Sequence, residues 1–266
     1  MKIASLGDKT LVIMRRDLLT AMRYRTGFLL GAAGAITELA AFYYLSRAVG
    51  PGFRPEGIEY FSFLLIGTGF YTFLLMGVHA FLQTVQEAQQ TGTLEVLMTT
   101  STSPPVLVFL STLSAFTANT VTLAFYLMAG LAFGAPMRPN VISSLAVFGL
   151  SVVVAAAIGL LAAALQLAVQ KGSAVVWVLG SVWFLTGTLF PVQTLPKPLR
   201  QLADLIPITH SLEGMRLALL EDASLAGVGH ELLILAGFAL ILVPCSLLVF
   251  SWTLRRARLA GTLSFY

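Results

Sequence analysis

The sequence predicts an all-α integral membrane protein with six transmembrane helices, an N-terminal amphipathic interface helix, a cytoplasmic polar segment and an outer helical hairpin between spans five and six. Three observations carry this reading. The 266 residues are 57% hydrophobic and only 11% charged, and the mean hydropathy is +0.87, values that do not fit a water-facing surface. Apolar runs of bilayer-spanning length recur along the chain. The basic residues lie beside those runs rather than in a stripe with interleaved aromatics, so the net charge of +4 reflects membrane topology and not nucleic-acid binding.

Residues 9–25 repeat at helical period, with Leu11, Met14, Leu18 and Met22 on one face and Lys9, Arg16, Thr20 and Arg23 on another. That pattern suits a helix lying in the membrane interface. Gly27–Ser46 follows as the first span, with Gly27, Gly31 and Gly34 expected to form a close-packing face. After a Pro- and Gly-containing loop, Tyr60–Phe81 is the second span.

The polar island 87–104 then separates two apolar runs. It is too long for a tight turn, and a short helix beginning at Gly92 is expected, with Glu95 in its first turn and Leu94, Leu97 and Met98 on one face. Pro104 and Pro105 stop it and open the third span, Pro105–Phe133. A short Pro136–Asn140 turn leads to the fourth, Val141–Val169, and the two are expected to pair antiparallel. The fifth span is placed at Ser173–Phe190 and the sixth at Glu231–Leu254. Between them, residues 191–230 hold two helices opened by Pro198 and Pro207, expected to bury their apolar faces against each other and the bundle.

The side richer in Lys and Arg carries both termini and is expected to be cytoplasmic. This places 87–104 in the cytoplasm, where a loop without Lys or Arg suits contact with a protein. The chain has one cysteine, Cys245, and no HExxH, GxSxG or Cys/His metal spacing, so no catalytic or metal site is expected. It also lacks a GxxxxGK[ST] phosphate loop. Glu38 is the one acidic residue expected inside a span, which makes it a functional candidate because a charge in hydrocarbon is costly. Asn119 and Gln166 are expected to bond between helices.

GTLEVLM at Gly92–Met98, preceded by Glu87 and set between the second and third spans, resembles the cytoplasmic coupling segment of type-2 ABC exporter permeases. The basic amphipathic helix resembles that family's interface helix, and Pro196, Leu199, Pro207, Thr209, Glu213 and Arg216 resemble the pattern of its outer hairpin. The chain departs from the family in having Gln89, Gln90 and Thr91 before the glycine, Thr99 and Thr100 after the motif, and Ile206 before the hairpin proline.

The resemblance implies one transmembrane permease domain over residues 1–266, working as a half-transporter in the cell inner membrane. It implies a second permease subunit, identical or not, and a separate ABC ATPase subunit that binds ATP and Mg, this chain itself holding no cofactor. Glu87, Gly92, Thr93, Leu94, Glu95, Leu97 and Met98 would then couple to the ATPase, and Pro196, Pro207, Glu213 and Arg216 would belong to the outer hairpin. The aromatic first and second spans suit an amphiphilic drug, lipid or lipid-linked cargo. An ion-coupled secondary carrier and a non-transporting membrane scaffold are the alternatives.

Overall fold

A computed structural model describes residues 25–92, 104–169 and 180–259. Among these the regular elements are helices: α1 (Arg25–Val49), α2 (Tyr60–Gln90), α3 (Pro104–Ala132), α4 (Val141–Val169), α5 (Lys197–Asp204), α6 (Pro207–Leu220) and α7 (Gly229–Leu259), with short 3-10 turns at Pro55–Gly57, Val182–Phe184 and Val192–Thr194. The expected interface helix lies outside the described residues except for Arg25. Four helices, over Leu29–Val49, Tyr60–Gln90, Val141–Ala168 and Gly229–Leu259, are long and apolar enough to cross a membrane. The 29-residue α3 matches them in length. Leu29, Leu30, Leu145, Leu233, Leu240 and Leu248 lie exposed on the outside of α1, α4 and α7, a coat of apolar side chains that water does not tolerate and lipid does.

The second span is the axis of the bundle. Phe61, Phe63, Leu64, Leu65, Ile66 and Phe70 are buried in its first turns and Phe81, Leu82 and Val85 in its later ones. Glycines set how closely its neighbours approach. A side chain at Gly69 would meet the Tyr126 ring of α3 at 2.7 Å, and one at Gly77 would overlap the Phe116 ring. In return, Gly159 of α4 receives the Phe81 ring of α2. Interior glycine disfavours an isolated helix by about 1 kcal/mol, but here each missing side chain is replaced by a packed ring.

This arrangement overturns the expected pairing of the third and fourth spans. α3 and α4 each pack extensively on α2 and make only marginal contact with one another. The connection between them is instead tied to α6: the Arg138 and Asn140 amides donate to the Leu219 and Ala218 carbonyls at 2.9 and 2.8 Å, satisfying two of the carbonyls a helix end leaves open. Asn140 Oδ1 then accepts the Ser143 amide at 3.2 Å and caps α4.

The fifth predicted span is also corrected. Residues 173–179 lie outside the described residues, and from 180 onward the expected helix does not continue to Phe190. It gives way after Ser181 to the Val182–Phe184 turn and an irregular stretch. The Thr186 hydroxyl donates to the Trp183 carbonyl at 2.9 Å and shares a 2.8 Å hydrogen bond with that of Thr188, while Gly187 adopts φ +74°. Local hydroxyl bonds compete with the helical ladder, and a left-handed residue ends it.

The two predicted hairpin helices are present as α5 and α6, but only α6 is inserted. Leu212 and Met215 are buried among α2, α4 and α7. On α5 only Ala203 is buried, Leu202 is exposed and so is Leu205 just past its end, so the expected burial of both faces fails for this eight-residue helix.

At the centre of the hairpin's seat, a side chain at Gly67 would meet both Arg216 Nη2 and the Thr188 carbonyl oxygen at 2.5 Å. The second of these is backbone and has nowhere to yield. Gly67→Ala is therefore expected to destabilise the protein by about 3 kcal/mol, the upper range for overpacking a filled site, read as a lowered thermal midpoint of detergent-solubilised protein. An unchanged midpoint would reject the tight seat.

Candidate functional site

Three places gather the residues that chemistry would use. The first is the end of α2. The helix runs on past the predicted span boundary at Phe81 to Gln90, so Glu87, expected in a separate loop, is an exposed residue of its last turns. The Thr91 amide donates to the Glu87 carbonyl at 2.9 Å and the Gly92 amide to the Gln89 carbonyl at 3.3 Å. Gly92 has φ +67°, the left-handed conformation with which glycine closes helices. Gly92 thus closes α2, and the short helix expected to run on from it lies outside the described residues. Thr93, Leu94, Glu95, Leu97 and Met98 lie outside the described residues, and Pro104 opens α3.

The second place is a cavity of about 240 Å³ between α1, α2 and α3. Glu38 stands near the midpoint of α1 and lines it, with Thr72 from α2 and Asn119 and Tyr126 from α3. Gly31 and Gly34 line it too, and a side chain added at either would meet nothing within 4 Å. The close-packing role expected of them does not hold in the described chain, because they border open space. Asn119, expected only to bridge helices, belongs to the same cavity. The Tyr126 hydroxyl is buried with no hydrogen-bond partner among the described residues.

The third is α6. Pro196 precedes α5 and Pro207 occupies the first turn of α6, both shaping backbone. Arg216 is buried at 4% exposure. Its guanidinium carbon lies 3.5 Å from the centre of the Phe63 ring, and Nη2 donates to the Gly187 carbonyl at 2.7 Å with longer contacts to those of Phe63 and Thr188. Burial brings its pKa down to about 10, opposed by the charges of Glu56 and Glu213, so it remains a cation at neutral pH. Glu213 is pushed up, first by burial and then by the Glu231 and Glu56 charges, with His210 and Arg216 pulling the other way.

The sequence reading passed over His210 and Glu231. The imidazole Nδ1 lies 2.6 Å from Glu231 Oε2, and Nε2 lies 2.9 Å from the Asp204 carbonyl oxygen. Both nitrogens face acceptors, an arrangement fully satisfied only by the imidazolium. These residues stand far apart in sequence, and the one available signal was an acidic residue in the first turn of the last helix, favourable to its dipole. Near the same end of the bundle, a cavity of about 970 Å³ opens between the end of α1, the start of α2 and the end of α6, with Arg47, Arg54 and Arg138 facing Glu59, Glu221 and Asp222.

Burial by itself lowers the His210 pKa, but the Glu231 and Asp204 hydrogen bonds and the Glu231 and Glu213 charges outweigh it and raise the net value above the ordinary 6.5. A group with a raised folded pKa contributes its stability in full below the unfolded value and loses it as pH rises through the folded one. The thermal midpoint is accordingly expected to fall as pH is raised above 6.5, and Glu231→Gln is expected to flatten that dependence. Superimposable profiles for the two proteins would reject the contact as a source of stability.

Comparison with known proteins agrees with this architecture. Residues 48–248 match the family model described as ABC-2 family transporter protein. No curated protein matches the chain in sequence. The match takes in α2, α3, α4, both hairpin helices and most of α7, a helical, multi-pass membrane unit without a catalytic role of its own. The chain belongs to the ABC-2 transporter family and is a permease of the ABC-2 type.

Proposed function

We propose that this permease is the membrane-spanning half of an ATP-driven exporter, moving an amphiphilic drug, lipid or lipid-linked cargo while a separate ATPase subunit binds and hydrolyses ATP. Family membership supports the class of partner, since ABC-2 permeases work with an ATPase subunit. The observation that carries the mechanism is the course of α2. A helix of 31 residues is about 46 Å long, beyond the ~30 Å of the hydrocarbon core, so its Glu87 end stands clear of the apolar region. The same helix is the most enclosed of the membrane-length helices. A push on the docking segment, Glu87 to Met98, enters the bundle through its axis.

In this reading Leu94, Leu97 and Met98 fill a groove on the ATPase, and Glu87 and Glu95 meet basic groups at its rim. Residues 9–25 lie along the same cytoplasmic surface, both termini are cytoplasmic, and two permease subunits face one another across the path. The hairpin α5–α6 and the mixed-charge cavity beside it form the outer mouth.

Buried apolar anchors contribute more than rim charges. Leu94→Ala combined with Leu97→Ala is expected to weaken ATPase association by about two to three orders of magnitude, from roughly 2 kcal/mol per anchor, while the protein still inserts in the membrane. Glu95→Gln is expected to give a smaller, salt-sensitive defect. A double variant that binds the ATPase and transports at wild-type level would make the segment a plain connection and restore the ion-coupled carrier.

Orientation has its own check. In a Cys245→Ser background, cysteine in place of Ser224 is expected to react with an impermeant thiol reagent from outside intact cells, and cysteine in place of Gln90 is not. The opposite pattern reverses the topology.

A further inference from the structure

The cavity between α1, α2 and α3 has the composition of a binding site rather than a packing fault. On α1, Gly31, Gly34, Ala35 and Glu38 follow one another at the spacing of a single helix face, so three small residues open space in front of a carboxylate set near mid-helix. No cation among the described residues lies within ion-pair distance of that carboxylate. An uncompensated charge at that depth is expensive. The opposite wall supplies neutral oxygens and an amide from Thr72, Asn119 and Tyr126, and Tyr126 is only 6% exposed with its hydroxyl unpartnered. A buried polar atom without a partner is a cost that a ligand removes.

The chemistry of these walls selects among ligands. One carboxylate, neutral hydrogen-bonding groups and no Lys, Arg or His exclude an anion. A hard metal ion takes six or more oxygen ligands, whereas much of this wall is apolar, with Phe73, Met76 and Leu123. An organic ammonium needs less: one counter-charge, an oxygen or two, and an aromatic or apolar surface for its carbon substituents. The volume, about 240 Å³, lies below the ~300–1,000 Å³ of sites that enclose a whole drug-sized ligand. It holds a head group, and the exposed side of α1 beyond Gly31 and Gly34 leaves the tail in lipid.

We propose that this cavity is a recognition subsite for the organic ammonium group of a cationic amphiphile, with Glu38 as counter-charge and Tyr126 and Asn119 as neutral hydrogen-bonding partners. It rests on the exporter reading only for its meaning as a cargo site. Binding itself does not depend on an ATPase.

The test uses the full-length chain in phosphatidylcholine nanodiscs at neutral pH, with radiolabelled hexylammonium, whose N–H groups can donate to the Glu38, Tyr126 and Asn119 oxygens, as probe and hexanol as uncharged competitor. Wild-type protein is expected to bind the probe saturably and hexanol to displace it poorly. Glu38→Gln, which keeps shape and removes charge, is expected to weaken binding about tenfold or more, the scale of a hydrogen-bonded charge contact. Tyr126→Phe should weaken it by a smaller factor. Glu38→Asp should retain binding within a few-fold, and with Tyr126→Phe it decides the question if Glu38→Gln fails to fold. Equal binding by wild type and Glu38→Gln, displacement by hexanol as effective as by unlabelled probe, or no saturable binding overturns the proposal. So does a Glu38→Gln protein whose self-association changes while cation binding does not, since Glu38 would then serve the contact between permeases. ATPase co-purification with wild-type protein is read in parallel. Charge-dependent binding without an ATPase partner removes the exporter reading and leaves the subsite; ATPase coupling without charge-dependent binding removes the subsite alone.

Discussion

Arg216 and the carbonyls around it decide how a broken helix is accommodated inside this bundle. In an apolar interior every backbone polar group needs a partner, and the stretch after Ser181 gives up the helical ladder that would have supplied them. The Arg216 guanidinium donates to Gly187 and lies on the face of Phe63, joining the broken segment, α2 and α6 at one point. A planar cation suits this seat better than a lysine ammonium, because it offers donors at its edge and a face for the ring. Gly67 is part of the same solution, since any side chain there would occupy the space of the guanidinium and the Thr188 carbonyl. The inserted course of α6 follows: a helix carrying a buried arginine is held where the carbonyls are.

From this point the packing builds outward around α2. The glycines of α2 admit rings from α3, and Gly159 of α4 admits the ring of Phe81, so two helices joined by a short connection both pack on a third and make little contact with one another. α6 fills the space between α4, α7 and the first turns of α2, and Gly214 brings it close to Val147 and to Glu231. The His210–Glu231 contact lies in the same interface, fastening the start of α7 to the end of α5 through the Asp204 carbonyl. Polar contacts thus concentrate at the hairpin end of the bundle, and the middle is held by shape.

What the sequence made legible was set by local chemistry. Helix starts at Pro104 and Pro207 follow from the fixed backbone angle of proline, and the run of apolar residues identifies the long helices without reference to neighbours. The polar segment after Glu87 was visible as a composition change, but the boundary at Phe81 was misplaced because α2 keeps its helix after its hydropathy falls. Hydropathy reports the solvent a residue meets, and the helix ends only where Gly92 takes a left-handed conformation. The break after Ser181 was hidden for the opposite reason: Thr186, Gly187 and Thr188 sit in an apolar run, and their local bonds outweigh its pattern. The separation of α3 from α4, the open space before Gly31 and Gly34, and the partnership of His210 with Glu231 depend on contacts between distant residues. No local period carries them.

The two regions of functional interest share one helix. Gly92 closes α2, and Gly69, Thr72, Phe73 and Met76 of that helix form a wall of the Glu38 cavity. Thr72 stands eighteen residues before the helix end at Gln90, about 27 Å of a rod whose hydrogen bonds resist stretching. The facing wall is different in kind. Among the described residues α1 packs mainly on α2 and α3, and lightly, with most of its surface exposed. One wall is therefore fixed to the axis of the bundle and the other is lightly packed among the described residues, so under the proposed coupling a motion along α2 would change the space in front of Glu38 before it disturbs the packed core of α2, α4, α6 and α7. A cavity between two firmly packed helices, α2 and α3, and one lightly packed helix, α1, opens at lower cost than one enclosed by packed helices on every side.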